Sequence, residues 1–174
     1  MADALFLFLL VVHIGAIVAW MGGAALFVSV IIPSLSKMSP ASRGEFIQSA
    51  LPRYLRFITG SSILAIIAGL ILYGYVTTQT TSSFALKDPG LTYVQAGAIM
   101  GLVVLIIALG VLVPAGRKFV SVTKQTSKPL AQPSAQDPTA AQIASLQKRM
   151  GIAGRLGVAL LGIALILMVI GGSI

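Results

Sequence analysis

A single histidine, His13, lies in an otherwise apolar run near the N-terminus, and two methionines, Met100 and Met168, lie in similar runs far along the chain. An ionisable side chain in lipid is costly and usually faces the bundle interior, so by default it marks a functional site. A plainer role is equally open to it, because a neutral imidazole also hydrogen-bonds to a neighbouring helix. Imidazole and thioether together form a recognised axial pair for haem iron, and the same two donors bind copper. Against that stands the commoner use of methionine in an apolar helix, which is packing.

Depth brings the three residues to one level. If the first helix enters near Ala4, His13 lies about 14 Å below the surface at roughly 1.5 Å per residue. Met100, counted from Tyr93, lies at about 11 Å, and Met168, counted back from Ile174, at about 9 Å by the same rise. All three fall in the same half of a bundle. On the first helix His13, Ile17, Trp20, Ala24 and Phe27 recur at helical spacing and share a face. Beside that face, Gly15, Gly22 and Gly23 allow close backbone approach, as do Gly97, Ala98 and Gly101 in the third run and Gly151, Gly154 and Gly157 in the fourth. Tight helix packing explains these small residues most simply. Room for a flat cofactor is the competing explanation, and Gly60, Ser61 and Ser62 on the second helix suit either.

The elements that position these groups follow from composition. The chain has 174 residues, 57% hydrophobic and only 9% charged, with a mean hydropathy of +0.99, which is outside the make-up of soluble domains. Four uncharged stretches stand out: Ala4 to about Ile32, Phe57 to Tyr75, Tyr93 to Gly116, and Leu156 to Ile174. Each reaches or approaches the ~20 residues that cross a ~30 Å hydrocarbon core. They lack the alternation of a barrel strand, and backbone groups in lipid must be satisfied inside a helix or a closed barrel. The first run does not read as a signal peptide, since Asp3 rather than a base precedes it and the uncharged stretch continues to Ser36.

Charge predicts orientation. Twelve Lys and Arg face four Asp and Glu, a formal charge of +8. Eleven of the twelve bases lie in the first and third connections, from Lys37 to Arg56 and from Arg117 to Arg155, and only Lys87 lies in the second. The positive-inside rule places the two basic connections in the cytoplasm and both termini outside. Anionic lipid, not nucleic acid, is the expected partner of so basic a surface.

The connections carry their own signals. Ser39-Pro40 followed by Ser42 and Glu45, at capping-box spacing, predicts a short helix, and Pro52 suits the first turn of the second membrane helix. Arg53 and Arg56 then fall at the headgroup level. Ser127-Lys128-Pro129 and Gln132-Pro133-Ser134 predict a mobile polar loop, after which Asp137-Pro138 reads as a helix cap with proline at the first helical position. No convincing internal repeat is visible.

Several chemistries are bounded at once. There is no cysteine, which removes disulfides, thiolate metal sites and thiol redox chemistry. The membrane runs hold no acid, which counts against a carboxylate proton relay or carboxylate-metal hydrolysis. No Walker-type glycine loop is present, and a Ser-His-Asp site would have only Asp3 and Asp88 to draw on. A coupled carrier lacks the intramembrane charges it needs.

The segment His13-Ile-Gly-Ala-Ile-Val-Ala-Trp20-Met-Gly22-Gly23 resembles the first-helix pattern of the CopD-like superfamily, in which a histidine is followed seven residues later by tryptophan and then a glycine pair. That superfamily comprises CopD copper-resistance proteins, HemJ-type protoporphyrinogen oxidases and uncharacterised four-helix relatives. Leu51 to Phe57, and Val113-Pro114 through Lys118, are similar to segments of those relatives. The resemblance implies a link to haem or copper. It also implies that His13 matches the first-helix histidine of HemJ-type proteins, with Lys118 the nearest candidate for their third-helix lysine. The chain departs from CopD proteins in having no second histidine.

The expected fold is all-α: one integral membrane four-helix bundle over residues 1–174, with helices at about 4–32, 53–77, 91–120 and 138–173. The expected cofactor is b-type haem, or less favourably copper, held by His13 with Met100 or Met168 as second ligand and Trp20 beside it. The alternative is a non-catalytic subunit or assembly factor packed against another copy or another membrane protein.

Overall fold

The structure, a computed structural model, describes residues 3–79, 89–126 and 138–173. Among them every regular element is helical. Four helices are long and apolar enough to cross a bilayer. The chain is an all-α four-helix membrane bundle.

Helix α1 comprises Ala4–Leu26, a π turn Phe27–Ile31 and Ile32–Lys37. Helices α2, Pro40–Ser49, and α3, Leu51–Gln79, follow. Helix α4 comprises Pro89–Ile107, a π turn Ala108–Leu112 and Val113–Thr126, and α5 spans Pro138–Ser173. The first helix thus continues through Pro33, where the hydropathy pattern alone places its end near Ile32. Pro138 stands at the first helical position, as its sequence context predicts; Lys87, Asp88, Asp137 and the polar stretch 127–134 lie outside the described residues.

The two π turns have one cause. Proline has no N–H and its ring collides with the carbonyl one turn back, so a helix that passes through proline must open locally. In α1 the residue before Pro33 bonds five residues back, Ile32 N–H to the carbonyl of Phe27. In α4 the residue before Pro114 does the same, Val113 N–H to the carbonyl of Ala108. Each helix absorbs its proline by widening one turn instead of breaking. The two halves of the chain share this device although their sequences show no clear repeat.

Packing occurs chiefly in two antiparallel pairs, α1 along α3 and α4 along α5. They meet over a core in which Ala16 and Trp20 of α1, Ala65 of α3, Val104 of α4 and Leu161 of α5 are all buried. Elsewhere large apolar side chains face outward, Val11 at 69% and Phe8 at 64% exposure among them. In water such a surface would aggregate; in a bilayer it is the solvated face.

The end carrying the basic residues is tied by α2. Ser39 caps it, its hydroxyl oxygen accepting from Ser42 N–H at 3.3 Å. Ser42 is therefore inside the helix, and the capping role falls to Ser39. Ile47 of α2 and Phe119 of α4 are almost fully buried, and Phe27 stacks on Tyr54 with ring centroids 4.2 Å apart. Arg43 donates through Nη2 to the carbonyls of Ser36 at 3.3 Å and Met38 at 3.2 Å, satisfying orphan acceptors where α1 ends.

Candidate functional site

His13 is half-buried on α1, facing α3. Its Nδ1 lies 2.8 Å from the carbonyl oxygen of Ala65. A carbonyl can only accept, so Nδ1 carries the proton, and in the neutral tautomer this contact selects the lone pair stays on Nε2. The ring lies flush on Gly69: a Cβ there would stand 2.6 Å from Cε1 and 3.0 Å from Nδ1. Ala65 and Ala68, on the same turn of α3 as Gly69, are buried as well. These partners escape a reading of the sequence that singles out Gly60, Ser61 and Ser62. The available signal is the Ala65-Ile-Ile-Ala68-Gly69 spacing, a small-xxx-small pattern of the kind that lets helices approach.

The serines are otherwise engaged. Ser61 Oγ donates to the carbonyl of Phe57 at 2.9 Å, and Ser62 Oγ to that of Thr59 at 3.0 Å. Both hydroxyls turn back onto their own helix, which leaves no O–H free to donate to a ligand.

Met168 seats on the other pair. Its Cγ would lie 2.8 Å from a Cβ on Gly97, and the carbonyl of Ala164 only 2.9 Å from it. Thus His13 is matched to α3 and Met168 to α4. Met100 is half-buried on α4. Trp20, two turns beyond His13, is 3% exposed within the core that joins the pairs. Lys118 is exposed at the basic end of α4, the far end of the bundle from His13. Among the described residues no three His, Asp or Glu side chains converge as metal ligands.

The mouth near His13 is stapled by hydrogen bonds. Asp3 caps α1, accepting from Leu5 N–H at 3.2 Å, and accepts from the hydroxyl of Tyr75 at 2.9 Å. Gln95 of α4 donates to the hydroxyl of Tyr73 on α3. Asp3 stands ten residues from His13, about 15 Å along a helix, so it cannot orient the imidazole. Tyr75→Phe should lower stability by no more than about 1 kcal/mol because the bond is exposed, readable as a small shift in thermal unfolding.

A haem iron needs an unprotonated imidazole nitrogen held in a fixed direction, and a metal-ligating histidine typically donates its other N–H to a carbonyl or carboxylate. His13 meets that requirement through Ala65. Copper asks for several converging donors, and the described side chains bring the thioether of Met168 to Gly97.

The fold and the lone intramembrane imidazole define the class: a polytopic, all-helical membrane protein with one tautomer-fixed histidine between its first two spanning helices. Comparison with known protein families, curated proteins and solved structures finds no match.

Proposed function

We propose that this chain is a multi-pass cell-membrane protein that binds b-type haem, with His13 Nε2 as the atom that would hold the iron and the basic connections in the cytoplasm. The observation that supports this reading is the bond from Nδ1 to the Ala65 carbonyl, 2.8 Å long, which leaves Nε2 as the ligating atom and fixes the ring plane. The likeness of the segment from His13 to Gly23 to the CopD-like superfamily supports it further. When bound, haem would supply one-electron or oxygen chemistry. The protein's part is to fix the imidazole and, through its buried apolar core, to exclude water. Met100, Met168 after it leaves Gly97, or another copy of the chain would supply a further ligand to the iron. Copper is the weaker version of the same proposal.

A second reading rests on the same bond. His13 pins α1 to α3, and α1 is otherwise the least buried of the four spans, so the chain serves as a helix-packing subunit of a larger membrane assembly. An absorption spectrum of the protein purified from haem-replete cells separates the two. The haem reading expects a Soret band that disappears in His13→Ala. A wild-type preparation with neither a Soret band nor copper by elemental analysis removes it and leaves the pin.

A further inference from the structure

Between α1 and α3, on the side away from the core, runs an open groove of about 530 Å³. Gly15, Ala16, Ala19, Gly60 and Ser61 form its floor. It is real space, since a Cβ on Gly15 or Gly60 would meet nothing within 4 Å. The Ser61 hydroxyl is already bonded to its own helix, so the floor presents no free donor in the hydrocarbon layer. At one end of the groove stands Arg56, exposed and without a hydrogen-bond or ion-pair partner among the described residues.

Depth places the headgroup end and most of the groove in the leaflet on the basic side, with Val11 and Val12 reaching the midplane. Arg56 lies nineteen residues from Tyr75, about 28 Å of helix, and Tyr75 meets Asp3 at the opposite boundary. Arg56 therefore sits at the edge of a ~30 Å core, on the basic side. From Arg56 to Leu64, the residue lining the groove's inner end, is about 12 Å, close to the ~15 Å depth of one leaflet. A guanidinium at headgroup level heads an apolar channel one acyl chain deep.

We infer that this groove is a binding site for an anionic phospholipid, its phosphate paired with Arg56 and one acyl chain lying over Gly60 and Gly15. A second copy of the chain is the less suitable occupant. Glu45, the acid at that end of the described chain, lies on α2 outside the groove lining, and a two-fold contact through the groove would bring two arginines toward each other. Guanidinium and phosphate, by contrast, match in charge and in bidentate geometry. The headgroup end of the site, at Arg56, lies at the opposite boundary from His13, while its inner end at Val12 and Leu64 adjoins the His13–Ala65 contact.

Native mass spectrometry of the full chain in detergent, titrated with phosphatidylglycerol or phosphatidylcholine, tests the assignment. Wild type should bind the first phosphatidylglycerol about fivefold more tightly than phosphatidylcholine, the effect of one favourable basic contact at the headgroup. In Arg56→Gln that preference should fall to about one, while Arg53→Gln, exposed at a similar depth but outside the groove, should keep it. Gly60→Leu fills open space and folds normally, and it should weaken both lipids. Millimolar inorganic phosphate should displace neither. Equal effects of the two arginine variants, unchanged binding in Gly60→Leu, displacement by free phosphate, or a lipid-free dimer that Gly60→Leu dissociates would each overturn the proposal.

Discussion

Gly69→Ala should destabilise the bundle by about 1–3 kcal/mol, although alanine is the better helix former by about 1 kcal/mol. The new methyl would stand 2.6 Å from His13 Cε1, and the ring can escape only by leaving the Ala65 carbonyl. The lost interhelical bond is itself worth about 1 kcal/mol. The sign should reverse once the imidazole is gone. In a His13→Ala background Gly69→Ala should be neutral or stabilising by up to about 1 kcal/mol, since only helix propensity then remains. Detergent-induced unfolding of the four proteins in the cycle measures this directly. An equal cost in both backgrounds would mean that the ring does not rest on Gly69. If haem is bound, Gly69→Ala should also shift its absorbance, because the His13 ring that would hold it is re-aimed.

The other large effect belongs to the α4–α5 seam. A Cβ on Gly171 would lie 2.5 Å from the carbonyl oxygen of Gly90 and 2.9 Å from Val94 Cγ2, and one on Gly97 would lie 2.9 Å from the carbonyl oxygen of Ala164. A flexible side chain could rotate away from such a clash; a backbone carbonyl cannot, so the helices themselves must part. We expect about 3 kcal/mol for Gly97→Ala and a similar cost for Gly171→Ala, at the upper end of ordinary overpacking. Gly162, on the same helix α5, provides the control because its Cβ would meet nothing within 4 Å. Gly162→Ala should be neutral or stabilising by up to about 1 kcal/mol. A comparable loss at Gly162 would show that glycine matters here for backbone freedom and not for close approach.

These two seams mark where the sequence stops being readable. The glycines and alanines are conspicuous along the chain, and their use in helix packing follows from general chemistry. Which of them touch a neighbour does not. Gly15, Gly22 and Gly60 face open space, whereas Gly69, Gly97 and Gly171 are closely covered, yet all stand in similarly apolar surroundings. In a soluble protein the buried face of a helix is marked by its polar opposite face. Here lipid replaces water, every face of α1 is apolar, and no stripe shows which side meets protein.

The candidate site divides the same way. Residue type alone makes His13 the notable group, and helix arithmetic places Met100 and Met168 at a similar depth. Depth is one coordinate, however, and the azimuth around each helix is set by packing. It is packing that turns the imidazole to Ala65 and Gly69, sets Met168 on Gly97 and buries Trp20 in the core.

What the amino-acid order determines unaided is therefore whatever depends on local composition and short-range chemistry: four apolar helices of spanning length, the strong asymmetry of basic charge, a short helix starting near Pro40 and the proline start of α5. Tertiary structure decides the rest: the pairing of α1 with α3 and α4 with α5, the widened turns that carry Pro33 and Pro114, the tautomer of His13 and the groove below Arg56. The division has one physical origin. Transfer into lipid rewards each apolar residue independently of its neighbours, whereas close packing rewards only shapes that meet in three dimensions.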